Sequence, residues 1–155
     1  MIDDIGLKIL KILQNKARIP NVEVARQVGM APSAVLERIR KLESQGVIDG
    51  YEVRLNPERF RWNLVAFLMV GIAPSADPRE IGRTLALIDE VQEVHFIAGK
   101  DGFLVKIRAQ DPHELDDLLR KRIRPIPGIG SITSHIALTT HKETARIPIR
   151  DPEPE

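Results

Sequence analysis

One short pattern occurs twice in this chain, and it restricts the fold more than any other feature. Asp77-Pro78-Arg79-Glu80 and Asp111-Pro112-His113-Glu114 stand 34 residues apart. Each opens a helix: aspartate as N-cap, proline at the first helical position, and glutamate at the third, near the positive end of the helix. A run of β-formers precedes each opening (64–73 and 103–109), and another follows each helix (91–98 and 131–139). The order βαβ–βαβ is the ferredoxin-like α+β arrangement, a four-stranded antiparallel sheet with two helices on one face.

The first of these strands says what the sheet needs. Leu64, Ala66, Leu68, Val70 and Ile72 point to one face, and Val65, Phe67 and Met69 to the other. A sheet covered on one side alternates apolar with polar residues, and this strand does not. The domain's own helices protect only one face. Leaving three such side chains in water forgoes roughly 1.5–3 kcal/mol each, so the second face is expected to pack against the sheet of another subunit.

The first sixty residues have a different character. Ile2, Ile5, Ile9, Ile12 and Leu13, widened by Leu10, repeat at helical spacing behind Asp3 as N-cap, which predicts a helix over residues 3–16. After Pro20-Asn21 a shorter helix places Val22, Ala25 and Val28 on one face and ends at Gly29. Gly29-Met30-Ala31 turns the chain, and Pro32 opens a third helix with a narrow seam of Val35, Ile39 and Leu42. Opposite that seam lie Ser33, Glu37, Arg40, Lys41 and Ser44, with Ala34 and Arg38 on a shoulder.

Three short helices with a tight turn before the third fit a helix-turn-helix, and the small residues Ser33 and Ala34 permit close approach to a duplex. Pro32, Ser33, Ala34, Glu37, Arg38, Arg40 and Lys41 are the residues placed at double-stranded DNA, with the cations suited to phosphates or guanines. A plain packing module with a solvated charged face fits the same spacing. Residues 47–55 read as a short extended stretch around an Asp49-Gly50 turn, which gives the winged form. Net charge separates nothing, being +2 over residues 1–60 and −1 over the remainder.

A long spaced pattern runs through this region: Ile9-Leu10-x-x-Leu13-Gln14, Arg18, Ala25-x-x-Val28-Gly29-Met30-x-Pro32-Ser33-x-Val35-x-x-Arg38-Ile39-x-x-Leu42, then Gly46-Val47-Ile48-x-Gly50-Tyr51. It resembles the Lrp/AsnC, or feast/famine, regulators, and the resemblance continues through nearly the whole chain. It implies a cytoplasmic transcription regulator rather than an enzyme, with no cofactor. The implied partners are DNA, a homodimer assembling further to octamers or similar rings, and an amino-acid effector bound by a sensing (RAM-type) domain. Gly6 stands where that family usually has Asp, Pro20 and Ala31 where it has capping Ser or Thr, and Arg61 where it has Gly. A lost hydroxyl cap costs about 1 kcal/mol.

The expected division is residues 1–54 for DNA binding, 55–62 as a locally basic linker, 63–142 for oligomerisation and effector binding, and 143–155 as a tail. In the tail, Ile147-Pro148-Ile149 is a docking segment and residues 151–155 have no means of forming regular structure. The candidate effector site is the loop Gly99-Lys100-Asp101-Gly102. Its backbone N–H groups suit a carboxylate and Asp101 suits an ammonium, although glycine and aspartate also favour a simple hairpin turn. The resemblance identifies this loop as the family's effector loop, adds Ser134 where Thr is usual, with Leu138 and Lys142, and matches Pro127-Gly128 to the turn before the last strand.

Other classes lack support. There is no cysteine, hence no disulfide or thiolate site. His95, His113, His135 and His141 include no pair at metal-ligand spacing, and His95 and His135 sit in strands, where interface positions explain them. Asp116-Asp117 faces the Arg120-Lys121-Arg122 run on one helix, so surface pairing accounts for it. No signal peptide is read at the N-terminus, and the apolar run 64–73 is half of the roughly 20 residues a membrane helix needs. Two rivals stay open: an enzyme resembling the sirohaem decarboxylases, which share this two-domain plan, and a ligand-binding oligomer with no DNA role.

Overall fold

The computed structural model describes residues 2–99 and 102–150. These form two compact units: one holds the residues up to Arg54 together with the segment that starts at Glu143, and the other is Leu55–Lys142.

In the first unit, α1 (Asp4–Asn15), α2 (Asn21–Val28) and α3 (Pro32–Ser44) enclose a small core of Ile9, Leu13, Val24, Ala25, Val35 and Ile39. Asp3 caps α1 by accepting from the Gly6 N–H at 2.9 Å. Gly6 is itself buried, and a Cβ there would come within 2.8 Å of Ile2 Cγ2. Gly29 ends α2 in the left-handed region, at φ 70°. The apolar face of α2 is not the expected one: Val24 replaces Val22, which is 66% exposed. Neither α2 nor α3 has a side-chain cap, because Pro20 and Ala31 have no oxygen to offer.

After α3 the chain runs extended. Among the described residues, 49–56 form no strand, so the Asp49-Gly50 turn of a paired wing is not present within one chain. Tyr51 ties this arm back by donating its hydroxyl to Glu43 Oε1 at 2.9 Å. The C-terminal segment returns to the same unit through Arg146, whose Nη1 donates to Asn15 Oδ1 at 2.9 Å, at the end of α1. Of the expected docking residues, Ile147 is 69% exposed and Ile149 half-buried.

In the second unit, Asn56 caps a 3-10 turn at Pro57–Phe60, and Arg61 follows at φ 64°. Then come β1 (Leu64–Ile72), α4 (Pro78–Ala86), β2 (Val91–Ile97), β3 (Gly102–Ala109), α5 (Pro112–Leu118) and β4 (Ile129–Ile136). The sheet is antiparallel in the order β2-β3-β1-β4, the ferredoxin-like topology. A wide π turn, Leu119–Ile123, continues α5 and is closed by the Arg124 N–H on Leu119 O at 2.8 Å.

The helices cover one face. Ala66, Leu68, Val70, Phe103, Val105 and Ile107 are buried there with Ile81, Leu85, Leu115, Leu118 and Ile123. On the other face Val65 is buried and Met69 half-buried, but Phe67 is 38% exposed. Phe67 pairs with Lys106 on one side and His135 on the other. Gly128, at φ 88°, turns the chain into β4, and a Cβ there would sit 2.7 Å from Ala76 Cβ.

Candidate functional site

The third helix presents two faces with opposite roles. Val35, Ile39 and Leu42 are buried against the core, while Pro32, Ser33, Glu37, Arg40 and Lys41 are exposed and Ala34 is half-buried. The first turn adds a second feature. Ala31 has no side-chain oxygen, so the early N–H groups of α3 lack an internal cap. Uncapped N–H groups at the positive end of a helix favour an anion such as phosphate.

The cations of α3 are not equivalent. Arg40 and Lys41 form no ion pair among the described residues. Arg38 is engaged: its Nη1 donates to Asp3 Oδ1 at 2.8 Å and Oδ2 at 2.7 Å. The hydrogen bond from Arg38, then that from the Gly6 N–H, holds the Asp3 carboxyl below its ordinary value. Asp3 lies outside every predicted site residue, and no local signal reveals it, since its partner is 35 positions away. Elsewhere on the surface, Glu23 is drawn down to about 2 by the hydrogen bonds from Arg26 and Gln27.

The predicted effector residues are brought together only in part. Lys100 and Asp101 lie outside the described residues. Gly99, at φ 94°, ends the turn after β2, and Gly102 opens β3. A Cβ on Gly102 would lie 2.3 Å from the carbonyl oxygen of Val70. Both glycines therefore have backbone reasons to be glycine. Ser134 is exposed on β4 and pairs with Leu68. Gly102 opens β3, two strands from β4 and so about 10 Å away at ~4.8 Å per strand, and it pairs with Gly71, three residues along β1 from the Leu68 that pairs with Ser134. One protomer does not place Ser134 beside the Gly99–Gly102 loop.

Among the described residues no group of three or more His, Asp or Glu is placed to hold a metal, and no helix is long and apolar enough to cross a membrane. Asp117 binds Arg120 at 2.7 Å and Lys121 at 2.6 Å on the surface of α5 and the turn that follows it. His95 stands 3.4 Å from Glu93, which also accepts from Lys106 at 3.1 Å.

Two family models match the chain: a winged helix-turn-helix DNA-binding model over residues 2–49 and the Lrp/AsnC ligand binding domain over residues 65–147. The HTH-type transcriptional regulator FL11 of Pyrococcus horikoshii is 37% identical over 149 residues, covering 96% of this chain and 97% of that protein. The leucine-responsive regulatory protein of Escherichia coli K12 is 31% identical, over 96% of this chain and 92% of that one. Among solved structures, the feast or famine regulatory protein of M. tuberculosis complexed with L-methionine has a TM-score of 0.88 at 32% identity. It covers 97% of this chain and 100% of its own.

Proposed function

Because the chain belongs to the Lrp/AsnC family of DNA-binding transcriptional regulators, we propose that α3 is its DNA probe and that two copies present their α3 helices to one duplex together. The observation that carries this is the division of α3 into a buried seam, Val35-Ile39-Leu42, and an exposed face bearing Ser33, Arg40 and Lys41. A helix buried on one side and thin and basic on the other fits a major groove.

Pairing follows from the uncovered sheet face around Phe67 and Met69. A second copy laid on it buries those side chains and brings two α3 helices under one dyad, suited to half-sites about 34 Å apart or a multiple of that. The extended arm supports self-association as well, since Tyr51, Val53 and Leu55 alternate with polar residues and remain exposed. Further assembly to an octamer, and a cytoplasmic location, complete the reading.

The Gly99–Gly102 loop is the proposed effector site, with Asp101 for the ammonium and backbone N–H groups for the carboxylate. Completion by another protomer accounts for the distance to Ser134. L-Methionine, present in a solved relative, is the first ligand to test.

Arg40→Ala with Lys41→Ala tests the reading. Loss of two phosphate contacts from each of the two copies should flatten the dependence of log K on log salt by about 3.6 and leave the assembly intact. Unchanged DNA affinity would remove α3 from the interface. A coloured, sirohaem-binding protein that ignores DNA would favour the enzymatic rival.

A further inference from the structure

Asp3 precedes α1 as its N-cap and Arg38 is on α3, yet one guanidinium nitrogen holds both carboxylate oxygens, at 2.8 and 2.7 Å. The pair is not a buried tie, because the aspartate and arginine side chains keep 55% and 35% of their surface. Its position is what gives it meaning. Asp3, Met30, Ala34, Glu37, Arg38 and Lys41 line one open notch of about 330 Å³. Ala34, Glu37 and Lys41 belong to the side of α3 assigned above to DNA.

A carboxylate that accepts through both oxygens offers an arginine much the same partner as a phosphate does. Asp3 therefore occupies the group a duplex backbone would otherwise bind. We propose that Asp3 is an internal competitor for the DNA backbone, holding Arg38 in the free protein and yielding it only to a phosphate placed well enough to replace both bonds. The proposal rests on the reading of α3 as the DNA probe. A loosely held complex with arbitrary DNA forgoes Arg38 and meets the charge of Asp3. A complex in register gains the arginine. Asp3 thus sets a threshold: a complex uses Arg38 only where its phosphate contact outweighs the Asp3 pair.

The same residue caps α1 through the Gly6 N–H, and a variant must not confuse the two roles. Asparagine caps a helix about as well as aspartate, so Asp3→Asn removes the charge and leaves the cap. Asp3→Ser does so with a different cap. An unchanged melting temperature in either variant checks that α1 is intact.

The experiment measures binding of the full-length protein by fluorescence anisotropy across a salt series. It uses two duplexes of equal length, one recovered from a random pool by the wild-type protein and one of unrelated sequence. Asp3→Asn should tighten the unrelated duplex about three- to tenfold near 0.1 M salt and steepen its log K against log salt slope by about 1.8, one further phosphate contact from each of the two copies. The recovered duplex, whose wild-type complex must first break the Asp3–Arg38 pair, should tighten at least as much with its slope unchanged, because Arg38 already meets phosphate there. In an Arg38→Ala background the same substitution should leave the slope unchanged. Two results overturn the proposal: an unaltered slope on the unrelated duplex when Arg38 is present, or weaker binding of both duplexes, which makes Asp3 only a strut that positions Arg38. If the wild-type protein binds neither duplex at low salt, the assignment of α3 itself falls, and this inference with it.

Discussion

Both α-helices of the sheet unit begin with an aspartate cap, whereas in the helical unit only α1 does, at Asp3. In the sheet unit, Asp77 caps α4 through the Arg79 N–H at 2.9 Å, and Asp111 caps α5 through the Glu114 N–H at 2.9 Å. Glu114 also reaches back to accept from the Gln110 N–H. In the helical unit, α2 and α3 start from Pro20 and Ala31 with no cap at all. The cores differ in the same sense, fourteen buried residues in one cluster against six in the other. The sheet unit is thus specified at every level, while the helical unit leaves bare the helix end that faces DNA in the proposed reading. A site that needs free N–H groups cannot also have them capped.

Matched core truncations test that asymmetry most severely. Leu68 and Ile9 are both fully buried, each at the centre of its unit. Leu68→Ala should cost about 3–5 kcal/mol and Ile9→Ala about 2–4. In urea unfolding, fluorescence of the sole tryptophan, Trp62, reports the sheet unit. Ile9→Ala should leave the Trp62 transition nearly unmoved and abolish DNA binding, whereas Leu68→Ala should shift it strongly. One shared transition in both variants would break the comparison, because the units would then stabilise each other.

The asymmetry also explains what could be read before the structure. The Asp-Pro-x-Glu repeat announced α4 and α5, because caps are local and leave a local trace. The seam of α3 was legible because Val35, Ile39 and Leu42 admit one helical phase. In α2 the spacing admits two phases, with Val22 or with Val24 beside Ala25 and Val28, and only packing chooses. The Asp3–Arg38 pair left no trace, being tertiary and 35 residues long in sequence. Even the repeat hides a difference, since Glu114 makes a return bond and Glu80 makes none among the described residues.

Tyr51 provides a probe of the helical unit alone, as the chain's single tyrosine. Partial burial, then its bond to Glu43 and the charge of that carboxylate, pushes the phenol up to about 12. A raised phenol contributes stability that is fully present below its unfolded value of about 10 and is lost as pH rises through the folded value. Tyrosinate absorbance should therefore be nearly absent at pH 11 while the arm holds its place. Glu43→Gln should lower the midpoint by part of the shift and leave it above 10, since burial remains. Ordinary titration near 10 in the wild-type protein would show that the arm is free of α3.

Caps measure the same contrast on a smaller scale. Asp111→Ala should cost about 1 kcal/mol, and Ala31→Ser should gain about 0.5–1 kcal/mol, each visible in thermal unfolding. A gain at Ala31 shows that the bare end of α3 costs stability the chain does without. No gain would mean that the first turn is already satisfied, and the proposed trade between stability and DNA contact at α3 would lose its basis.

The smallest effect is expected where the sheet unit departs from its own regularity. Arg61 is the only non-glycine residue with positive φ among those described, at 64°. The left-handed region costs such a residue roughly 1–2 kcal/mol, and glycine removes that cost while adding freedom to the unfolded chain worth about 0.5–1 kcal/mol. Arg61→Gly should therefore stabilise the unit by only about 0.5 kcal/mol, read from Trp62 fluorescence in urea. A destabilisation would mean that the arginine side chain supports the turn, with Arg108, whose Nη1 already donates to the Trp62 carbonyl at 3.2 Å, unable to hold it alone. If glycine stabilises as expected, the turn after Phe60 joins α3 as a place where local stability has not chosen the residue.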